Sequence, residues 1–283
     1  IMLWDKDHTS ADVDDRRSQG PSRASAGMGI FGLFPFFARF GWKGILLFGA
    51  IAGGIYMFGG TGGGTSLTSQ EPVSSPKEDE SLRFVSFVFD DAQAMWARTF
   101  PGRFSKAGMV VFRGATESGC GMGESQMGPF YCPRDSKVYL DLSFYEELRS
   151  RFGAPGDFAQ AYVIAHEMGH HIQNLMGTSK KVQNASANAQ DGSDGLSVKL
   201  ELQADCYAGV WAHDAQKRNI LEVGDIEEAL AAAAAIGDDR LQKQGQGRVT
   251  PETWSHGSSA QRALWLKRGI ASGDLKQCDT FGQ

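Results

Sequence analysis

Three of the six histidines lie within six positions of each other, in the stretch YVIAHEMGHHIQ at residues 162–173. Among them His166, Glu167 and His170 form the pattern HExxH. Residues four apart lie one above the other on a helix face, so the two imidazoles can bind a single Zn²⁺ ion. Glu167 lies beside them, where its carboxylate can take a proton from a water molecule. The pattern therefore predicts metal-assisted hydrolysis of a peptide bond.

A catalytic zinc ion needs a third protein ligand and an open coordination position. The stretch ELQAD at residues 201–205 offers Glu201 and Asp205, which share a helical face because they are four residues apart. We expect Glu201 to bind the metal and Asp205 to accept a hydrogen bond from a ligand imidazole, which fixes its tautomer. The alternative is a solvated acidic face, but the apolar neighbours favour a buried helix, in which carboxylates need a partner.

The stretch WSHGSSAQR holds a histidine outside any strong helical pattern. A zinc peptidase needs a donor for the developing oxyanion besides the metal. We expect His256 to be that donor and Arg262 to orient it. The alternative is a loop whose serines cap the last helix. His171, in contrast, points about 100° away from His170 on the helix, so we expect it to make a polar contact outside the metal site.

The elements that must position these residues are mostly helical. Amphipathic or apolar periodicity predicts helices around the HExxH motif and at 196–217 and 226–242, and a further helix in SLRFVSFVFDDAQAMWARTF. Residues 107–114 and 137–142 are typical of short strands. Residues 137–142 also alternate between apolar and polar side chains, which suggests an edge strand whose free backbone could pair with an extended substrate. The predicted fold is therefore α+β, a helix-dominated, zincin-like metallopeptidase domain with a small sheet.

The chain divides into four predicted regions. Residues 44–60 are apolar and uncharged, close to the length that spans a bilayer as a helix. The alternatives are a cleaved signal peptide and a buried core helix. The polar start of the chain indicates a disordered tail over residues 1–27. The predicted regions are a cytoplasmic tail and interfacial segment (1–43), a single transmembrane helix (44–60), a flexible linker (61–79) and the metallopeptidase domain (80–283).

Charge and cysteines bear on the compartment. Basic residues precede the apolar segment and none follows it until Lys77, which predicts a cytoplasmic N-terminus and a domain outside the bacterial cytoplasmic membrane. Such a location permits disulfides. Cys120 and Cys132 would close a short loop, and the even count permits a second pair from Cys206 and Cys278. The alternative is four free thiols in a cytosolic protein.

Composition excludes one class of partner. The net charge of −5 and an isoelectric point near 5.7 argue against a nucleic-acid binder, because phosphate neutralisation needs a basic surface. The expected partners are a peptide or protein substrate and the membrane.

An ordered series of stretches resembles the neutral zinc metallopeptidase family of bacteria. These are VDDRR, SGCGMGESQMGPFYCP, VYLDLSFY, DFAQAYVIAHEMGHH, LELQADCYAGVW, IGDDRLQ, SHGSSAQR and WLKRG, and they extend over nearly the whole chain. The resemblance implies a membrane-anchored, zinc-dependent peptidase with a gluzincin-like core and one zinc ion per chain. ELQAD is similar to the signature of membrane gluzincins related to the prenyl-protein peptidases.

On the matching positions the resemblance implies specific roles. His166 and His170 would bind the metal, Glu201 would be the third ligand, and Glu167 would be the catalytic acid and base. The loop that holds His256 resembles the histidine loop of those enzymes, although Gly257 stands where those relatives often carry proline.

Two functions of other classes remain compatible with the residues. One is a zinc-stabilised binding module that regulates a membrane complex without cleaving anything. Glu167 argues against it, because a purely structural zinc site does not need that carboxylate. The other is a soluble cytosolic protein whose apolar segment is a helix that docks onto a partner.

Overall fold

The computed structural model describes residues 2–19 and 74–282 of the chain. The predicted membrane helix at 44–60, the interfacial segment before it and most of the predicted linker lie outside these residues. The strands are β1 (Val13–Asp15), β2 (Gly108–Phe112), β3 (Ala115–Ser118), β4 (Gly121–Glu124), β5 (Phe130–Cys132) and β6 (Lys137–Asp141). The helices are α1 (Pro76–Thr99), α2 (Ser143–Ser150), α3 (Asp157–Leu175), α4 (Thr178–Gln183), α5 (Ala187–Gln190), α6 (Leu196–Lys217), α7 (Asp225–Ala235), α8 (Asp238–Gln246) and α9 (Ser259–Ser272). Within the described residues, no helix is both long and apolar enough to cross a membrane.

A small mixed sheet stands beside a larger group of helices, which confirms the helix-dominated α+β prediction. The sheet has the order β1-β2-β6-β5; the first three strands are parallel and β5 is antiparallel to β6. Strands β3 and β4 form a separate hairpin. A large cluster of buried side chains joins the sheet to the helices, with α3 in contact with α1, α6 and α7.

The prediction of an edge strand at residues 137–142 is wrong. Strand β6 lies between β2 and β5, with Val138 opposite both Met109 and Tyr131. Its backbone is therefore already paired on both sides and cannot accept an extended substrate. The three residues of β5 are too few to show the alternation that identifies a strand in a sequence.

The prediction of a disordered tail over residues 1–27 is wrong for residues 2–19. Strand β1 pairs with β2, with Val13 opposite Met109, and the Leu3 amide donates to the Ile220 carbonyl at 2.8 Å. Met2 is only 1% exposed. Polar composition gave no sign of this, because the segment is held by a three-residue strand and by contacts with residues distant in the sequence.

This packing also bears on the predicted topology. Residues 2–19 and 74–282 share one sheet and one core, so both lie on the same side of any membrane. The expected cytoplasmic tail and external domain would separate β1 from β2. The folded part also begins earlier than the expected residue 80, since α1 starts at Pro76 behind a capping box of Ser75 and Glu78.

Two helical predictions differ from the structure in ways that matter for the site. The low-complexity composition of residues 178–194 predicts an irregular connection, but the structure has the short helices α4 and α5 there. The helix expected at 226–242 is interrupted after α7, and α8 begins at Asp238 with Gly237 as its N-cap. The interruption leaves the Asp238 side chain at the start of a helix, facing the loop that precedes α9. Helix α6, in contrast, has the predicted bounds.

Candidate metal centre

Helix α3 presents the HExxH residues on its buried side. His166 is 6% exposed and Glu167 is 7% exposed, and the two imidazole rings lie 4.8 Å apart and nearly perpendicular. The helical spacing of four residues produces this arrangement without any help from tertiary contacts. The structure therefore places both predicted histidine ligands side by side.

Helix α6 brings Glu201 to these histidines. One carboxylate oxygen lies 3.2 Å from His166 Nε2 and the other lies 3.3 Å from His170 Nε2. Two ligand atoms bound to one zinc ion at about 2.0–2.1 Å in a tetrahedral arrangement are about 3.3 Å apart. The ligand atoms of all three residues lie within 4.8 Å of one another. The donor set and its spacing thus fit a zinc ion, with two imidazoles and one carboxylate as in catalytic sites.

A glycine allows the two helices to approach this closely. A Cβ atom on Gly169 would lie 2.9 Å from the Ala204 carbonyl oxygen and 3.0 Å from the Ala204 Cα atom. Any larger residue at this position would separate α3 from α6 near Glu201. Sequence reasoning did not single out this glycine, although it stands inside the HExxH motif.

The structure places Asp205 against His166. Its Oδ1 atom accepts from His166 Nδ1 at 2.8 Å and from the Tyr162 hydroxyl at 2.6 Å. Arg262 donates from Nε to Oδ2 at 2.9 Å and from Nη2 to Oδ1 at 3.0 Å. Because Nδ1 of His166 donates its proton to Asp205, Nε2 is the ring atom that is able to bind a metal.

A similar contact orients His170. Its Nδ1 donates to the Gln173 side-chain oxygen at 2.9 Å, and the Gln173 amide donates to the Leu200 carbonyl at 2.6 Å. The glutamine therefore connects the second histidine to the backbone of the helix that carries Glu201. Gln173 lies three residues beyond His170 on one helix face, and this spacing is the signal that could have identified it.

The electrostatics of the centre favour a positive charge between the imidazoles. Burial alone would lower the pKa of His166, but the carboxylates of Asp205 and Glu201 raise it to about 10. Burial raises the pKa of Glu201, but His170 and His166 outweigh it and hold that pKa well below its usual range. A cation bound at this point would replace the protons that the histidines otherwise hold.

Glu167 lies between the two histidines in the sequence of α3, and its side chain is buried. Burial raises the pKa of its carboxyl group, with the neighbouring histidines acting in the opposite direction. A carboxyl group with a raised pKa accepts and releases a proton more readily near neutral pH. The hydroxyl group of Tyr145 is buried, has no hydrogen-bond partner within the described residues, and has a pKa raised by burial and by Glu167.

His256 has a different partner from the expected one. Its Nδ1 donates to Asp238 Oδ1 at 3.2 Å, and Asp238 Oδ2 accepts from the backbone amides of Ser255, His256 and Gly257. Arg262, expected to orient His256, donates to Asp205 instead. The His256 side chain is 51% exposed, and its pKa is raised chiefly by the hydrogen bond to Asp238.

The remaining predicted residues have structural roles. His171 lies outside the centre, where it accepts from the Tyr131 hydroxyl at 3.0 Å and donates to the Ser105 carbonyl at 2.7 Å. The four cysteines form two disulfides, Cys120–Cys132 and Cys206–Cys278. The second ties α6, next to Asp205, to the C-terminal segment.

Sequence reasoning missed three residues of this network besides Gly169. Tyr162 lies four residues before His166 on the same face of α3, so helical spacing could have found it. Gln173 follows the same rule. Asp238 gives no local signal, because its contacts with the histidine loop cross 17 to 19 positions of sequence.

Comparison with known proteins shows the family of the chain. The sequence profile of the family described as "Putative neutral zinc metallopeptidase" matches residues 2–281. The Escherichia coli K12 protein YpfJ, described as uncharacterized, is 47% identical over 300 residues, covering 100% of this chain and 99% of the relative. The uncharacterized proteins Mb2605 of Mycobacterium bovis and Rv2575 of Mycobacterium tuberculosis are each 45% identical over 203 residues, covering 68% of both chains. None of the solved structures gives a significant match.

Proposed function

The chain belongs to the family of neutral zinc metallopeptidases whose profile matches residues 2–281, and from this premise we propose that it is a zinc-dependent peptidase. One observation carries the proposal. The carboxylate of Glu201 lies 3.2 Å and 3.3 Å from the Nε2 atoms of His166 and His170, with Glu167 next to them on α3. This is the donor set of a catalytic zinc site together with a base.

His166, His170 and Glu201 would hold the metal, one ion per chain. A zinc ion bound there supplies a Lewis acid for the peptide carbonyl and lowers the pKa of water. Asp205 and Gln173 keep the imidazoles in the tautomer that binds a cation through Nε2. Arg262 and Tyr162 in turn keep Asp205 in place.

The other residues of the centre act on protons and charge. Glu167 takes a proton from the attacking water and later passes it to the departing amine. His256, held by Asp238, donates a hydrogen bond to the oxyanion that develops on the carbonyl. The pKa of His256 is raised, chiefly by its hydrogen bond to Asp238, which favours the protonated, donating form.

The substrate we propose is a peptide or protein outside the cytoplasm. The two disulfides support an oxidising compartment for the folded part. Residues 44–60, which lie outside the described residues, are the proposed attachment to the bacterial cytoplasmic membrane. Any such attachment must leave residues 2–19 and 74–282 in one compartment, because β1 and β2 pair.

Elemental analysis of the purified full-length chain tests the metal. We expect about one zinc ion per chain in the wild type and much less in Glu201→Ala, because a site with two imidazoles alone binds zinc weakly. Glu227→Ala is the matched control, since it removes an exposed carboxylate on α7. Equal zinc content in Glu201→Ala and wild type would show that Glu201 is not the third ligand.

Peptide cleavage tests the reaction. A mixture of peptides from a bacterial proteome is incubated with zinc-loaded protein, and new termini are identified by mass spectrometry. Wild type should produce them, and Glu167→Gln should retain zinc but produce at least about a hundredfold fewer, because the proton acceptor is gone. Cleavage by Glu167→Gln at the wild-type rate would refute the mechanism. A zinc-loaded wild type that cleaves nothing would instead support the non-catalytic binding module.

A further inference from the structure

A cavity of about 630 Å³ lies at one end of the sheet and takes no part in the mechanism above. Three parallel strands end at it: Arg17 follows β1, Arg113 follows β2, and Asp141 is the last residue of β6. The N-terminal turns of α1, α2 and α3 surround it. The carboxyl ends of parallel strands and the N-termini of helices are the places where α/β folds bind ligands, and anions above all.

Two residues connect the cavity to the catalytic carboxylate. Tyr145 lines the cavity, and the charge of Glu167 acts on its buried hydroxyl group. Gln160 lines the cavity from α3, seven residues before Glu167 and therefore on the same face of that helix. The cavity is therefore lined by the same helix that carries His166, Glu167 and His170.

A buried arginine with an unused donor lines this cavity. Arg17 is 6% exposed, and its Nε and Nη2 atoms donate to Asp15 and Asp79 at 2.9 Å. Its Nη1 atom is buried and has no hydrogen-bond partner within the described residues. A buried guanidinium N–H group without a partner destabilises the fold unless a ligand accepts a hydrogen bond from it. Arg17 therefore has an N–H group that can donate a hydrogen bond to a bound anion.

A second cation lies at the rim. Lys77 lines the cavity from the first turn of α1, is exposed, and makes no ion pair within residues 2–19 and 74–282. The N-terminus of a helix carries a partial positive charge, which adds to that of the lysine. Lys77 and Arg17 line the same cavity from different elements, so an anion bound there would meet the charge of Lys77 and the unused N–H group of Arg17, whose own charge is balanced by Asp15 and Asp79.

The acidic residues of the cavity wall are already engaged. Asp141 accepts from the Gly114 amide at 2.8 Å, from the Ser143 amide at 2.9 Å and from the Ser125 hydroxyl. Glu78 pairs with Arg113 at 2.7 Å, and Glu146 pairs with Arg149 at 2.5 Å. Their negative charges are therefore compensated, whereas Lys77 and Nη1 of Arg17 remain available to a ligand.

We propose that this cavity is a substrate subsite that binds a carboxylate of the peptide, either the side chain of an acidic residue or the C-terminal α-carboxylate. The inference rests on the proposed peptidase function for the identity of the ligand as a peptide. Arg17 and Lys77 bind the carboxylate through charge-assisted hydrogen bonds. The N-terminal segment, which carries Arg17, is thereby part of the substrate-binding surface.

Three nearly isosteric probes test the subsite without any cleavage. N-acetyl-glutamine carries only an α-carboxylate, N-acetyl-isoglutamine carries only a side-chain carboxylate, and N-acetyl-glutaminamide carries neither. Each is titrated by NMR or calorimetry into the full-length Glu167→Gln chain. We expect at least one acidic probe to bind at least about tenfold more tightly than the neutral one, because it gains a charge-assisted contact. The acidic probe that binds better identifies which source of carboxylate the subsite takes.

Variants locate the binding on the cavity. Arg17→Gln and Lys77→Gln, each in the Glu167→Gln background, should remove most of the advantage of the acidic probe. Lys180→Gln, an exposed lysine on α4, is the matched control and should leave it unchanged. Because Lys77 is exposed, Lys77→Gln should fold normally, and it tests binding in the cavity even if Arg17→Gln does not fold.

Two results would overturn the subsite. One is equal or undetectable binding of all three probes, and the other is an acidic preference that persists in Lys77→Gln. These results are distinguishable from failure of the proposed function. Zinc content and peptide cleavage are measured on other variants and do not enter the probe titrations.

Discussion

At the scale of residues, His166 is held by the buried carboxylate of Asp205, and Asp205 is in turn paired with the buried guanidinium group of Arg262. Asp205 is 0% exposed and accepts hydrogen bonds from His166, Tyr162 and Arg262. A buried carboxylate of this kind is stable only while its cationic partner is present. The Arg262 pair therefore supports both the tautomer of His166 and the stability of the α6–α9 contact.

Replacement of Asp205 by asparagine should weaken both metal binding and the fold. We expect zinc affinity to fall by about 10- to 100-fold, because the residue that orients His166 loses its charge. The free energy of unfolding should fall by about 3–5 kcal/mol, because Arg262 remains buried without a carboxylate. Competition with a chelator measures the first and urea unfolding measures the second.

Asp214→Asn is the control for this change. Asp214 also lies on α6, but it pairs with Arg218 at a partly exposed position. Exposed pairs contribute about 0–1 kcal/mol, so we expect little change in stability and none in zinc affinity. Equal effects of the two substitutions would contradict the role assigned to Asp205.

At the scale of elements, the centre depends on two close approaches. Helices α3 and α6 meet at Gly169 and Ala204, which brings Glu201 to the histidines. The start of α8 meets the loop before α9 through Asp238, which positions His256. Neither approach follows from the periodicity of one helix, because each depends on where a second element lies.

Gly169→Ala should separate the two helices. The added Cβ atom would lie 2.9 Å from the Ala204 carbonyl oxygen, so the backbone must shift. Overpacking of this kind costs about 1–3 kcal/mol, and zinc affinity should fall as Glu201 moves away. Gly245→Ala on α8 is the control, because nothing lies within 4 Å of its Cβ position and alanine favours a helix by about 0.5–1 kcal/mol. Thermal unfolding and zinc titration would show whether the two variants differ in this way.

The pair of Asp238 and His256 should titrate as a unit. Its hydrogen bond with Asp238 raises the pKa of His256, while burial would raise the pKa of Asp238 and the hydrogen bonds from His256 and the backbone lower it instead. The stability that comes from the raised histidine is fully present below its unfolded pKa and is lost as the pH rises through its folded pKa. The contribution of Asp238 is present above its unfolded pKa and is lost as the pH falls through its folded pKa.

Asp238→Asn tests this pair by NMR titration of the His256 ring. We expect the pKa of His256 to fall toward the ordinary value of about 6.5, because its anionic partner is gone. Asp239→Asn is a neighbouring control, since Asp239 accepts from Ser259 and not from the histidine. An unchanged pKa in Asp238→Asn would show that Asp238 does not hold the ring.

At the scale of the whole molecule, residues 2–19 belong to the folded body. They add an edge strand to the sheet, bury Met2, and place Arg17 in the wall of the cavity. A fragment that starts near residue 80 would lack all of these and also the capped start of α1. Studies of the isolated domain therefore need residues 2–19.

Deletion of residues 2–19 should destabilise the chain. The loss of β1 exposes the edge of β2 and the apolar surface around Met2, and burial of one such side chain contributes about 1.5–3 kcal/mol. We expect a lower urea midpoint than for a chain in which residues 2–19 are joined to residue 74 by a glycine–serine linker. If the two chains unfold at the same urea concentration, the N-terminal segment is not part of the stable body.

The sequence by itself determined what lies within single helices. HExxH and ELQAD each set two side chains on one face, because 3.6 residues per turn fixes that geometry regardless of the rest of the fold. The bounds of α6 and the strands β2 and β6 followed from periodicity for the same reason. The proposed zinc ligands were thus predictable as candidates from two short stretches.

Only the tertiary structure decided which elements meet. Arg262 reaches Asp205 across 57 positions and not the nearby His256, and β5 covers the edge that β6 was expected to offer. Residues 2–19 join a sheet whose next strand begins at Gly108. Contacts of this kind depend on the three-dimensional path of the chain between the partners, and local pattern carries no information about that path.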